Sequence, residues 1–197
     1  WSEKPGSQEP VKLSPVLAPV TEQTQNDIAQ FARRVQDSRA CALVWESGLG
    51  RRFFALAAAY AVGRIPAVVL TQPAYVWLWQ RHAQLVGLYS GTSSTSDVRI
   101  LTYEQARNNV GFHAQTLILD DPESGITKND PLLGILRNAS KTMLRISFST
   151  QWPENTKHQV KILEAIRPEE FTAAVPIEAR YVSPSAEKFA EHVSCYL

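Results

Sequence analysis

The chain has 197 residues, with 20 Lys+Arg against 19 Asp+Glu, so its formal net charge is only +1. Hydrophobic residues make up 44% and charged residues 20%. These values exclude a collagen-like, coiled-coil or wholly disordered chain and a whole-domain basic field of the histone kind, and leave room for one domain. The two cysteines, Cys41 and Cys195, stand far apart and outside any CxxC pair, so no zinc knuckle is readable. No apolar run reaches the roughly 18 residues a membrane span needs, and no basic-then-apolar signal peptide opens the chain. The most apolar stretch, residues 53–70, is broken by Gly63, Arg64 and Pro66. Trp1 is not a natural start, so the chain is expected to be part of a longer one.

Residues 1–20 are Pro-rich and lack a helical period, so they read as an extended leader ahead of a domain over residues 21–197. Thr21 is the expected N-cap of a helix to about residue 35, with Ile28, Phe31 and Ala32 at helical spacing. Residues 40–45 form a short apolar strand, and Gly48-Leu49-Gly50 breaks it. A strong helix follows over residues 51–62, then a buried strand over 67–70 and a helix over about 75–86. The Ser/Thr-rich run from Ser90 to Ser96 reads as a flexible surface loop open to phosphorylation. Residues 98–101 are a strand, 103–108 a short helix, and 116–119 a strand ending in Asp120-Asp121. A helix over 130–139, a strand over 143–148 and a helix over 157–166 complete the series. Short, uniformly apolar strands alternating with helices predict an α/β fold: a three-layer, mostly parallel, doubly wound sheet covered on both faces.

The chemistry lies in the order of these parts. A buried strand enters Glu46-Ser47-Gly48-Leu49-Gly50-Arg51-Arg52 and then a helix, which is the arrangement of a phosphate cradle: glycines allow close backbone approach, and the helix N-terminus offers free N–H groups. Farther on, a strand ends in two aspartates, where a nucleotide site places a magnesium-binding carboxylate and a water-orienting acid. A plain strand-to-helix turn at the glycines and a strand-end turn before Pro122 are the structural alternatives.

The succession resembles the first RecA-like lobe of superfamily 2 helicases, and most of all the Snf2-type chromatin remodelers. Residues 43–52 resemble motif I, which in that family ends Gly-Leu-Gly-Lys-Thr. Residues 67–79 resemble motif Ia, with a strand leading to Pro and a Trp-bearing helix. Residues 98–108, with Thr102-Tyr103-Glu104, resemble motif Ib, and residues 116–123 resemble the Asp-Glu-x-His box. Residues 144–151 stand at motif III, keeping Ser149 and Thr150 without its Gly or Pro. Residues 159–171 resemble a later Snf2 stretch, and residues 182–197 the segment leading toward a second lobe.

The departures fall on the chemistry. Arg51 stands at the P-loop Lys, and its planar guanidinium does not reproduce a compact ammonium. Arg52 replaces the magnesium-binding Ser/Thr. Asp120 keeps the metal-binding position, Asp121 replaces the Glu, and no His closes the box. The resemblance therefore implies a pseudo-ATPase that is not an enzyme and has no cofactor. Gly48, Gly50, Arg51 and Arg52 form a degenerate nucleotide loop or an anion site, and Asp120 and Asp121 a degenerate motif II. Tyr75, Trp77, Trp79, Arg81 and His82 make an aromatic and basic cluster. Within it Tyr75, Trp79 and Arg81, with Thr102 and Tyr103, are candidate contacts for nucleic acid or a partner, although Trp77 and Trp79 cannot both face the same way. The four histidines lack metal-ligand spacing, so no metal site is expected.

The implied role is a non-catalytic module that binds DNA or partner subunits in a nuclear, histone deacetylase or silencing-type complex, with a second lobe elsewhere in the full chain. Two alternatives stand beside it: a weakly active ATPase lobe, and a vestigial helicase domain of a bacterial relaxase or phage protein serving as a scaffold. A cytoplasmic location accompanies those alternatives.

Overall fold

The computed structural model describes residues 22–44, 50–93, 95–109, 111–127, 130–139, 142–149 and 156–167. The leader over residues 1–20, Gly48 and the tail over residues 182–197 lie outside them.

The elements run α1 (Glu22–Ser38), β1 (Ala40–Val44), α2 (Arg51–Ala61), β2 (Ala67–Thr71), a short turn of 3-10 helix (Pro73–Tyr75), α3 (Val76–Leu85), β3 (Ser90–Gly91), β4 (Val98–Thr102), α4 (Tyr103–Arg107), β5 (Thr116–Asp120), α5 (Pro122–Gly125), α6 (Pro131–Asn138), β6 (Leu144–Ser149) and α7 (Thr156–Ile166). The strands make one six-stranded sheet in the order β1-β6-β5-β2-β4-β3. Every pairing in it is parallel. The α/β expectation holds, and the sheet is wholly rather than mostly parallel.

Burial explains the strand composition. All five residues of β2 and of β5 are buried, as a parallel strand covered on both faces requires. One apolar cluster joins Ile28 of α1, Leu56 of α2 and Trp79 and Ala83 of α3 to Val69, Ile118 and Ile146 of the sheet. A second joins Tyr103 and Ala106 of α4, Leu132 and Leu136 of α6 and Leu163 of α7 to Val68, Leu117 and Leu119. Alternate residues of the central strands thus feed opposite layers. Each fully buried Leu or Ile contributes about 1.5–3 kcal/mol.

The stretch expected as a loop from Ser90 is corrected at its start. Ser90 and Gly91 pair with Val98 and Arg99 as the short edge strand β3. Ser96 is buried, and its hydroxyl is the nearest atom that a Cβ at Gly91 would meet. A two-residue strand carries too little periodicity to be read from sequence.

Two polar devices fix the α4–α7 layer. The buried Arg145 on β6 donates from Nη1 to the Ala165 carbonyl at 2.8 Å and from Nη2 to the Leu136 carbonyl at 3.0 Å. These carbonyls lie in the last turns of α7 and α6, so one guanidinium serves two negative helix ends. Asp130 caps α6 by accepting from the Leu132 N–H at 3.0 Å, and it pairs with Arg107 of α4 at 2.7 Å.

Burial pushes the Asp130 carboxyl up, but the Arg107 hydrogen bond and the Thr127 and Leu132 N–H groups outweigh it and hold its pKa at about 2, below the ordinary 3.8. Because the folded value is the lower one, the stabilisation is complete above about pH 4 and is lost as pH falls toward 2. Asp130→Asn is expected to flatten the pH dependence of urea-unfolding stability between pH 4 and 2, and an unchanged slope would refute this assignment.

Candidate functional site

Parallel strands that all end at one edge gather their last residues there. In register, Thr71 faces Thr102, Val44 faces Ser149, and Asp120 faces Phe148. Gly50 at the start of α2, the turn before α3 and the N-terminus of α4 all lie on this C-terminal edge.

Asp120 is its centre. The side chain is fully buried, yet it sits where apolar β5 ends. Its Oδ2 accepts from Thr71 Oγ1 at 2.9 Å, Trp79 Nε1 at 2.8 Å, and Arg52 Nε and Nη2 at 3.3 and 3.1 Å. Its Oδ1 lies 3.0 Å from Arg51 Nη2. The same Arg51 nitrogen reaches Asp121 Oδ2 at 2.5 Å. Two guanidinium groups and two carboxylates therefore balance one another at the end of the sheet.

Local conformation brings these groups together. Gly50 caps α2 at φ 75°, a left-handed conformation that costs glycine little, and it delivers Arg51 as the first helical residue. A cation in a first helical turn opposes the helix dipole; the carboxylates offset that cost here. Asp121 also takes a left-handed conformation, φ 52°, immediately before Pro122 opens α5. The turn expected at Asp120-Asp121 and the charge pairing thus coexist.

Arg52 is held from a third side. Its Cζ lies 4.8 Å from the Tyr75 ring centroid and 5.8 Å from that of Trp79, in cation–π range. Beneath, the Tyr103 hydroxyl donates to the Asp120 carbonyl at 3.1 Å. Burial, then the charge of Asp120, raises the Tyr103 pKa well above its ordinary value. A Cβ at Gly125 would overlap the Tyr103 ring, so glycine is required there. Ser149 donates to Glu123 Oε2 at 2.9 Å, joining the end of β6 to α5. Burial raises the Glu123 pKa as well.

Two expected contact residues are corrected. Trp79 is fully buried and Tyr103 is 3% exposed, so both face the core and neither offers a surface to a ligand. Trp79 and Trp77 do diverge as helical spacing demands: Trp77 is 57% exposed. Tyr75 and Arg81 are exposed. Thr102 is half-buried, and its hydroxyl is occupied as the α4 cap, accepting from Gln105 N while the Gln105 side chain accepts from Thr102 N. Arg51 is buried and Arg52 is largely covered, and both turn inward to Asp120 rather than presenting an open anion site. Thr71 and Trp79 escaped notice as carboxylate partners because each also reads as core. The signal that was present is arithmetic: two Arg in one motif answer two Asp in another.

The residues present do not suit a magnesium–nucleotide site. Oδ2 of the carboxylate that would face a metal is filled by hydrogen-bond donors, Oδ1 has the Arg51 charge beside it, and Arg51 and Arg52 are both paired with carboxylates. No group of three or more His, Cys, Asp or Glu able to hold a metal occurs among the described residues.

A SWI2/SNF2 ATPase core from Sulfolobus solfataricus, solved in complex with double-stranded DNA, superposes with a TM-score of 0.77 at 12% identity, over 95% of this chain and 45% of that one. The fold is RecA-like. A hypothetical ATP-dependent RNA helicase from Sulfolobus tokodaii aligns at a TM-score of 0.45 and 14% identity, over 72% of this chain and 55% of that one. This lobe spans less than half of the Snf2 structure it matches. No protein-family model and no curated protein matches the sequence.

Breaking a buried ion pair from one side costs about 3–5 kcal/mol. Asp120→Asn keeps the shape but takes the carboxylate from Arg52 and leaves Arg51 with Asp121 alone, and a loss of about 3 kcal/mol in urea unfolding is expected. An unchanged midpoint would remove Asp120 from the centre of the structure.

Proposed function

We propose that this lobe is a non-hydrolysing, helicase-fold binding module, a pseudo-ATPase that engages duplex DNA and partner subunits in a nuclear chromatin complex of the histone deacetylase or silencing type. One observation carries the loss of turnover: the buried Asp120 carboxylate is already neutralised by Arg51 and Arg52. In a working site that carboxylate supports a divalent cation, and a lysine and a hydroxyl hold phosphate and metal. Here two guanidiniums supply the positive charge from within the chain. Admitting magnesium and a triphosphate would require both arginines to leave a buried partner.

The DNA part of the proposal draws on the double-stranded DNA bound to the Snf2 core and on exposed Tyr75 and Arg81. Arginine and aromatic side chains suit phosphate and sugar contacts. Chromatin repression, nuclear location and a second lobe in the full chain follow from the resemblance and belong to the proposal.

Calorimetry with ATP and magnesium is expected to give no binding heat. Micromolar binding, or hydrolysis abolished by Asp120→Asn, would instead establish an active lobe. Fluorescence anisotropy with a labelled duplex should show binding that weakens steeply with salt. Tyr75→Ala combined with Arg81→Ala should weaken it further. Absence of binding at low salt would reduce the role to protein contacts.

A further inference from the structure

Arg52 makes two kinds of contact, and only one of them is charge balance. The edge of its guanidinium meets Asp120, with Nε and Nη2 donating to Oδ2 at 3.3 and 3.1 Å. Its Cζ lies over the Tyr75 ring, 4.8 Å from the centroid. Asp120 Oδ2 is itself held by Thr71 Oγ1 and Trp79 Nε1, both on fully buried residues. A chain of contacts therefore runs from the core through Asp120 and Arg52 to a ring at the surface.

Tyr75 is the outer end of that chain. It is 38% exposed, whereas the Arg52 side chain beneath it is 15% exposed. The turn that opens at Pro73 fixes the Tyr75 backbone, whose N–H donates to the Gln72 carbonyl at 3.0 Å. The turn sets where the Tyr75 backbone stands and leaves its side-chain rotamer open. The Tyr75 side chain makes no hydrogen bond as the N-cap of α3. Neutralising Asp120 calls for any cation. Meeting a carboxylate edge-on while covering an aromatic ring calls for a planar one, which a lysine ammonium is not. A ring already held in place loses less freedom when a ligand covers it.

We infer that Arg52 is a positioning residue that presets the Tyr75 ring as a contact face for duplex DNA. The arginine acts through the ring and does not itself touch the ligand. The inference rests on the DNA reading given above and deepens it: the residue standing where a magnesium-binding hydroxyl is expected serves binding instead.

The test compares variants of the full chain, each checked by circular dichroism, for anisotropy of a labelled duplex at one low salt concentration. Arg52→Lys keeps the charge beside Asp120 and removes the planar face, and affinity should fall about fivefold. In a Tyr75→Leu background the same change should have no further effect, as a double-mutant cycle requires of a residue acting through another. Tyr75→Phe keeps the ring and should bind as the unaltered chain does, a comparison that stands even where Arg52→Lys lowers stability. Without DNA, a chain labelled with 3-fluorotyrosine should show a Tyr75 fluorine signal, assigned by its loss in Tyr75→Phe, that moves in Arg52→Lys.

Four results overturn the inference while leaving DNA binding in place: Arg52→Lys binding as tightly as the unaltered chain, losses that add in the double variant, Tyr75→Leu binding as tightly as Tyr75→Phe, or a fluorine signal that does not move. No duplex binding by the unaltered chain would instead remove the DNA reading, and this inference with it.

Discussion

One buried carboxylate organises the end of this sheet. Asp120 receives donors from β2, α2 and α3, and its own carbonyl is held by α4. A charge at that depth is tolerable only when it is paired and fully hydrogen-bonded. The surrounding sequence meets that demand at Oδ2, while Oδ1 has only the Arg51 charge beside it. Thr71 ends β2 with a hydroxyl, Trp79 carries the single indole donor on the buried side of α3, and Gly50 turns the chain so that a guanidinium enters α2 first. In a motor these elements are coupled through a nucleotide. In this lobe they are coupled directly to one another.

That substitution changes what kind of part the edge is. A site built for turnover must present a metal-binding oxygen and loop cations to a ligand that comes and goes. The same positions here hold complementary charges in direct contact, with Tyr75 and Trp79 closing over Arg52. The proposal of a static binding lobe follows from that contact more than from the absence of any one motif residue.

The fold was legible because its signal is long-range and redundant. Uniformly apolar strands such as Thr116–Asp120 and amphipathic helices such as Glu22–Ser38 declare themselves by period, and their alternation implies a parallel sheet. Helix α5 and strand β3 were not legible, because four and two residues hold no period. The site was legible in its location but not in its wiring. The aspartates and arginines were visible as departures from a motif, yet their pairing depends on β5 and the start of α2 meeting across nearly seventy residues of chain. Trp79 was misassigned for a related reason: an indole reads equally as core or as contact, and only the phase of α3 separates it from Trp77.

The charge-balanced cluster also bears on how such a lobe changes over generations. Replacing Arg52 by threonine alone would leave the acidic side of the cluster partly unmatched, and altering Asp120 alone would leave Arg52 without its carboxylate. Single changes at these positions therefore pass through a less stable intermediate. Asp120 and Arg52, which share one charge contact, should be kept or exchanged together in descendants of this lobe.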